Sequence, residues 1–448
     1  MEPIEQDHVT DQSSKLENEV STAAWRPVTT LTAIMISVFF MGMGTALQGS
    51  AVSLRAGIAG FPDAIIGFIL SANYAGLVLG SLIGPGIIRK VGYVRSFAAF
   101  ASMASISSIA HVLWINPFAW ILFRFTTGLC LAVMLVVVES WLNASSTSYN
   151  RGRVLSIYSM MYLGSMGAGQ PLLAVFSPAS FELFGVTTVL ISFCLVPVAL
   201  MQVSGDAVGE YRPPRLIKTL KNAPLAGIGT MVAGVITGAT WSLGPRYGQL
   251  LGLADGRVGL LMMLVALGTI VMQWPLGLIS DRKDRRRAIF LSVAVAFGTA
   301  LVMALTRVAG PTLFILMFFF GGFGMPLYSL CIALINDQLA PEHMIQAAGA
   351  ILLYYGIGSA LGPVLAGMSM AAVGPAGLFL FMAAVLGLYL LLVAVRLRLA
   401  PELRVRRSTA YRAYPRTTPA AFELIRRARP RRPSRTKNKQ SENYQSEN

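Results

Sequence analysis

The chain has 448 residues, 55% of them hydrophobic and only 12% charged, with a mean hydropathy of +0.63. Soluble domains carry about 25% charged residues, so this supply cannot cover a globule of such size. Three cysteines without a disulfide spacing exclude a stapled secreted fold, and 43 glycines and 23 prolines without G-X-Y order exclude collagen. An integral membrane protein remains, and the net charge of +16 has to be located before it suggests nucleic acid.

Residues 1–24 form a polar, acidic tail (Glu2, Glu5, Asp7, Asp11, Glu17, Glu19) without the basic leader of a signal peptide, so the first span is expected to stay in the mature protein. Twelve apolar runs follow, at 28–48, 64–88, 97–114, 118–138, 154–176, 183–203, 225–246, 258–280, 288–306, 311–335, 346–370 and 375–396. Each approaches the roughly 20 apolar residues that a bilayer-spanning helix needs. Lipid offers the backbone no hydrogen-bond partner, and the runs are continuous, not alternating as in a barrel. The expected fold is an all-α polytopic membrane protein.

Loops on one side carry Arg89, Lys90, Arg95, Arg151, Arg153, Arg212, Arg215, Lys218, Lys221, Arg282, Lys283, Arg285, Arg286 and Arg287; those on the other carry only Arg55, Arg246, Arg257 and Arg307. By the positive-inside rule both termini face the cytoplasm, and an even number of spans agrees. Residues 396–448 hold fifteen Lys/Arg against four glutamates, so most of the positive charge is a C-terminal tail. Beside a membrane it is expected to be disordered and to meet anionic lipid headgroups, each charge contributing about 1 kcal/mol, without nucleic acid as a partner.

The chain repeats itself at an offset of 192. Asp63 and Gly67 match Asp255 and Gly259, Gly76 matches Gly268, and Tyr162 and Pro171 match Tyr354 and Pro363; Asn143 and Asn336 agree at 193. A six-span repeat gives two halves of one orientation, related by an axis along the membrane normal, with a cavity between them. The expected organisation is a tail at 1–24, halves at 25–203 and 225–397, a cytoplasmic central loop at 204–224 and a basic tail at 398–448.

These features resemble the major facilitator superfamily of secondary transporters over about residues 25–397. Between spans 8 and 9 the chain reads Gly277-Leu-Ile-Ser-Asp281-Arg282-Lys-Asp284-Arg285-Arg286, against the family's G-x-L-x-D-R-x-G-R-R. Ile279 replaces the leucine and Asp284 the second glycine. In the matching loop between spans 2 and 3, Pro85 stands for the first glycine and Arg89 for the aspartate, while Gly92 and Arg95 keep the basic turn. Arg124-x-x-x-Gly128 in span 4 is similar to the family's arginine motif. Gly358-x-x-x-Gly362-Pro363 in span 11 is similar to its glycine-proline motif, which the family places in span 5; there this chain has Gly169-Gln170-Pro171. Glu139-Ser-Trp-Leu-Asn143 followed by Asn150-Arg-Gly-Arg153 resembles the YcaD-type branch.

The resemblance implies a non-enzymatic secondary active transporter in the plasma or inner membrane that moves a small solute by alternating access, without cofactor or metal. The alternative is a transporter-shaped receptor, scaffold or assembly factor. No Gly-Lys dipeptide exists to form a P-loop, and no cluster of His, Cys or carboxylates lies in the spans.

Arg124, about six residues into span 4, is the leading substrate-binding candidate, because a charge at that depth costs at least about 2.5 kcal/mol if it faces lipid. A single arginine without a matching acid favours an anionic or zwitterionic solute. Gln48, Asn73, Tyr162, Gln170, Trp241, Gln273, Tyr328, Tyr354 and Tyr355 are the polar or amphipathic candidates on the spans that line the cavity in this family. Expected gating residues are Gly277, Asp281, Arg282, Arg285 and Arg286, with Arg89, Gly92, Arg95 and Glu139. By the family's arrangement Asp281 should approach the start of span 5, near Arg151 to Leu155. Glu139 is read first as an interface salt bridge, no acid being placed well inside a span. His111 is read as an interface residue at the outer end of span 3.

Overall fold

With no water to bond in hydrocarbon, a spanning segment must satisfy its own N–H and C=O groups, and every expected run contains helix. The computed structural model describes residues 5–146, 151–200, 223–282, 284–306, 308, 310–338 and 344–399, the side chains of 5–30, 143–144, 151–152 and 344–348 excepted. The N-terminal half comprises α1 (Glu5–Ile58), α2 (Asp63–Val91), α3 (Tyr93–Leu113), α4 (Pro117–Ala144), α5 (Arg151–Ala168), a 3-10 helix (Gln170–Ala174), α6 (Phe181–Phe193) and α7 (Leu195–Ala199). The C-terminal half comprises α8 (Pro224–Leu250), α9 (Asp255–Arg282), α10 (Arg285–Leu305), α11 (Pro311–Gly324), α12 (Leu327–Gln338), α13 (Met344–Val373) and α14 (Gly377–Leu399). Most of the central loop and the whole tail from 400 onward lie outside the described residues.

Eleven of the twelve expected spans are long and apolar enough to cross a bilayer. The remaining one, 154–176, is built from α5 and the 3-10 helix. Proline lacks an N–H and crowds the preceding turn, and the helix gives way at Gly169-Gln170-Pro171. The repeat-equivalent Pro363 stays inside an unbroken α13. The first span also runs ten residues beyond its expected end, to Ile58, and carries Arg55 in its last turn. Large apolar side chains such as Phe118, Leu122, Trp274 and Leu388 are exposed around the bundle, a surface suited to lipid and not to water.

Packing follows the repeat. Within the N-terminal half α2 lies on α4, α1 on α5 and α3 on α6; in the C-terminal half α9 lies on α11, α8 on α13 and α10 on α14. Gly76 and Gly268 show why the sequence repeats. A Cβ on Gly76 would overlap the carbonyl oxygen of Phe125, and one on Gly268 that of Phe318, so each glycine lets two helix backbones touch. Between halves, α2 crosses α13 at Gly67 and Pro363, α9 crosses the 3-10 helix at Gly259 and Gln170, and α1 lies against α8. These crossings leave a space near mid-bundle, walled by both halves.

Candidate functional site

The space has two adjoining chambers with common walls at Tyr74, Leu77, Tyr162, Met166 and Trp241. The larger encloses about 830 Å³, including its open part, and is completed by Leu135, Ser159, Leu163, Thr237, Gln273, Ser329, Tyr355, Gly356 and Ser359. The smaller encloses about 580 Å³ and adds Thr45, Ala46, Gly49, Leu70, Asn73, Arg124, Leu131 and Ser242. Among the described residues Arg124 is the one charged residue in either wall.

Arg124 reaches this wall because of its neighbours. Gly128, one turn further along α4, packs its Cα face against the Asn73 backbone, which draws α2 and its Asn73-Tyr74 pair alongside. Gly49 on α1 faces the guanidinium, and a Cβ there would lie at ordinary contact distance, 3.9 Å, from Arg124 Nη2. The repeat-equivalent position in the C-terminal half is Trp241. Arg124 Nη1 donates to Gln48 Oε1 over 3.4 Å, a long bond, while Arg124 Nε and Gln48 Nε2 are buried without a hydrogen-bond partner among the described residues.

The structure sorts the expected candidates. Arg124, Asn73, Tyr162, Trp241, Gln273 and Tyr355 line the chambers, and Gln48 stands behind Arg124. Gln170 does not reach them. It is fully buried, accepts from Ser50 Oγ at 2.8 Å and donates from Nε2 to the Met166 carbonyl at 3.2 Å, bracing the break in span 5. Tyr328 lies behind Tyr355, ring centroids 4.7 Å apart, and Tyr354 is not among the lining residues. Tyr74, Ser159, Thr237, Ser329 and Ser359 were not expected. The offset of 192 could have pointed to Thr237, which pairs with Thr45, both of them in the walls.

Glu139 is fully buried near the end of α4 and accepts a 3.2 Å hydrogen bond from Tyr158 of α5. The expectation for the histidine is corrected. His111 is also fully buried, its Nδ1 2.7 Å from the Ser107 carbonyl and its ring packed against Trp120, Phe123 and Phe184. Aromatic side chains from α4 and α6 close over the end of α3, which keeps this imidazole from the interface.

At the end of the bundle that carries the 59–62 and 251–254 turns, the halves are joined by polar contacts. Arg246 on α8 donates from Nε to Asp63 Oδ1 on α2 at 2.7 Å, and both side chains are about 15% exposed. Its Nη1 donates to Gln249 Oε1 at 2.6 Å, and Gln249 Nε2 donates to the Leu54 carbonyl at 3.2 Å. Deeper in, Ser53 Oγ donates to the Ser242 carbonyl at 2.7 Å and Ser71 Oγ to that of Ala360 at 2.6 Å.

At the opposite end, Arg285 of α10 is buried and donates to Asp337 on α12, to Ser280 Oγ at 3.0 Å and to Asp281 Oδ1 at 3.3 Å, tying α9, α10 and α12 together. The expected approach of Asp281 to span 5 falls partly on Arg151 and Gly152, whose side chains lie outside the described residues. Asp284, the departure from the family loop, caps α10: Oδ1 accepts from the Arg286 amide at 3.0 Å and Oδ2 from Arg286 Nη2 at 2.6 Å. Burial raises the Asp284 carboxyl, but hydrogen bonds and charge from Arg286, with Arg287 nearby, outweigh it and hold the pKa below the ordinary value. Gly277 is buried within α9, Gly92 turns the chain between α2 and α3 at φ +94°, and Arg89, Arg95 and Arg282 are exposed.

Residues 226–432 match the Major Facilitator Superfamily. An uncharacterised MFS-type transporter of Enterobacter sp. (strain 638) is 27% identical over 370 residues, covering 82% of this chain and 95% of the relative. The uncharacterised MFS-type transporter YcaD of Salmonella arizonae is 28% identical over 371 residues, with the same coverage. Among solved structures, the nucleoside transporter NupG superposes with a TM-score of 0.67 at 12% identity, over 83% of this chain and 99% of its own. A bacterial homologue of the lysosomal transporter Spinster, in an inward-facing and occupied conformation, gives 0.64 at 14% identity, over 83% and 96%. At such identities the likeness is one of fold.

Proposed function

We propose that this chain is a major facilitator superfamily protein, a secondary active transporter that moves a small solute across the membrane by alternating access. The observation that carries this reading is the placement of the cavity. Its walls come from both halves, and the described contacts between halves gather at one end of it.

In this reading the halves 25–203 and 225–397 rock against each other, with the central loop and both termini in the cytoplasm of a plasma- or inner-membrane protein. The Asp63–Arg246 end is the outer one and is closed, so the solute site communicates with the cytoplasm. Arg124 attracts an anionic or zwitterionic solute, Asp281 and the arginines of its loop control the inner end, and the basic tail lies against anionic headgroups. A single cysteine at Ser359, in a chain lacking Cys130, Cys194 and Cys331, tests the reading in oriented liposomes. Its labelling by an impermeant maleimide is expected from the inner side, and from the outer side once the Asp63–Arg246 contact is removed. Labelling from one side alone in both proteins refutes alternating access.

A further inference from the structure

We propose that the cavity takes an amphipathic organic monoanion: one carboxylate or similar acidic group held at Arg124, on a body with a flat apolar face that lies among Tyr74, Trp241 and Tyr355. This rests on the transporter reading of the same cavity and names its substrate class.

The charge balance of the site comes first. Arg124 is about 95% buried, and no carboxylate lies within ion-pair distance of it among the described residues. A guanidinium offers five N–H donors in a planar fork suited to two oxygens of one anion. Here one donor makes a 3.4 Å bond, Nε makes none, and the amide nitrogen of Gln48 beside it is also unused. The titratable side chains coupled to Arg124 among the described residues are Tyr74 and His111, and neither is a carboxylate. A buried cation without a counter-charge is unfavourable by several kcal/mol, so the site is built for a charge that arrives from outside.

The remaining walls limit what carries that charge. Apart from Arg124 the described wall residues are neutral: the rings of Tyr74, Tyr162, Trp241 and Tyr355, leucines and Met166, the amides of Asn73 and Gln273, and hydroxyls such as those of Ser159, Thr237, Ser329 and Ser359. The buried Ser359 Oγ has no hydrogen-bond partner among the described residues and can serve a polar atom on the body. An organic cation meets Arg124 and finds no acid. The ammonium of a zwitterion and the second charge of a dianion both come to rest in a chamber without a counter-ion. A monoanion alone leaves every charge paired, and the walls shared by the two chambers let its body extend from Arg124 past Tyr74 and Trp241 towards Tyr355.

The test uses the purified full chain and a matched set of probes on one skeleton: naphthoate, naphthamide, naphthylmethylamine, naphthylalanine and naphthalene dicarboxylate, with sodium chloride and sodium phosphate as inorganic anions. Thermal stabilisation and titration calorimetry are read for each. Naphthoate is expected to bind at least about tenfold more tightly than every other member. Arg124→Gln is expected to remove that preference, and Arg124→Lys to keep part of it. Gln48→Glu supplies an internal counter-charge and is expected to raise the melting temperature of the empty protein while weakening naphthoate at least about tenfold, an opposed pair that a merely structural role does not produce. Equal binding of the amide or amine, equal protection by chloride or phosphate, no binding of naphthoate, or a Gln48→Glu protein with unchanged affinity overturns the proposal. Naphthoate that binds at Arg124 but never crosses the liposome membrane overturns the transporter reading and leaves the ligand class standing.

Discussion

Replacing Asp63 by Asn removes the one ion pair described between the two halves while keeping the size of the side chain and an acceptor oxygen. Two unit charges about 4 Å apart attract by about 4 kcal/mol at an effective dielectric of 20. Desolvation and side-chain ordering return part of this, and a charge-assisted hydrogen bond nets about 1.5–3 kcal/mol. The pair is 2.7 Å long, about 15% exposed and buttressed by Gln249, so a value near 2 kcal/mol is reasonable. Asp63 also stands at the start of α2, but that favourable dipole contact exists whether or not the halves are joined and so cancels. Loss of about 2 kcal/mol from the closed end that carries Asp63 alone shifts the closed-to-open ratio by about thirtyfold. The assay is the labelling rate of a cysteine at Thr45, in the wall of the smaller chamber, by an impermeant reagent added outside. Asp63→Asn and Arg246→Gln should each raise that rate by a similar factor, and the double variant should raise it no further, because both remove one interaction. An unchanged rate in both single variants, or effects that simply add, refutes the latch.

Two further outcomes test the packing. Asp284→Ala removes the α10 cap and the contact with Arg286, and is expected to lower stability by about 1–2 kcal/mol, read as a fall in the melting temperature in detergent. Because the folded carboxyl is depressed, its electrostatic contribution is present above the ordinary carboxylate value of about 4 and is lost as pH falls through the lower folded value. The difference between Asp284→Asn and the parent should therefore shrink on acidification. Gly76→Ala and Gly268→Ala should destabilise by similar amounts, about 1–3 kcal/mol or more, since each pushes a methyl into a neighbouring carbonyl; a clear inequality in their melting temperatures argues against equivalent roles.

The spans were legible because hydrocarbon admits few backbone solutions and leaves a long apolar run as the trace of each. The repeat was legible for a related reason: Gly76 and Gly268 meet a steric demand that no other side chain meets, so the same residue recurs at the same offset. The direction in which a side chain points was not. A helix surrounded by lipid on one side and by other helices on the next is apolar all round, without the polar face that orients a helix in a soluble protein. Asn73 was therefore expected at the cavity and its neighbour Tyr74 was not, and Tyr354 and Tyr355 could not be separated. Gln170 shows the same limit, a polar residue on the right span that is occupied by Ser50 and Met166 instead of facing the chamber.

By itself the sequence determined an all-α bundle of two related halves, its basic and poorly charged sides, and Arg124 as a deep cation that needs an explanation. Those follow from composition, periodicity and the cost of burying charge, which act locally along the chain. Tertiary structure decided that Arg124 faces a cavity with no acid among its described wall residues, that Glu139 and His111 are buried, and that Asp63 meets Arg246, 183 residues away. Contacts of that kind depend on how helices rotate and cross, and backbone clearance at a few glycines sets both.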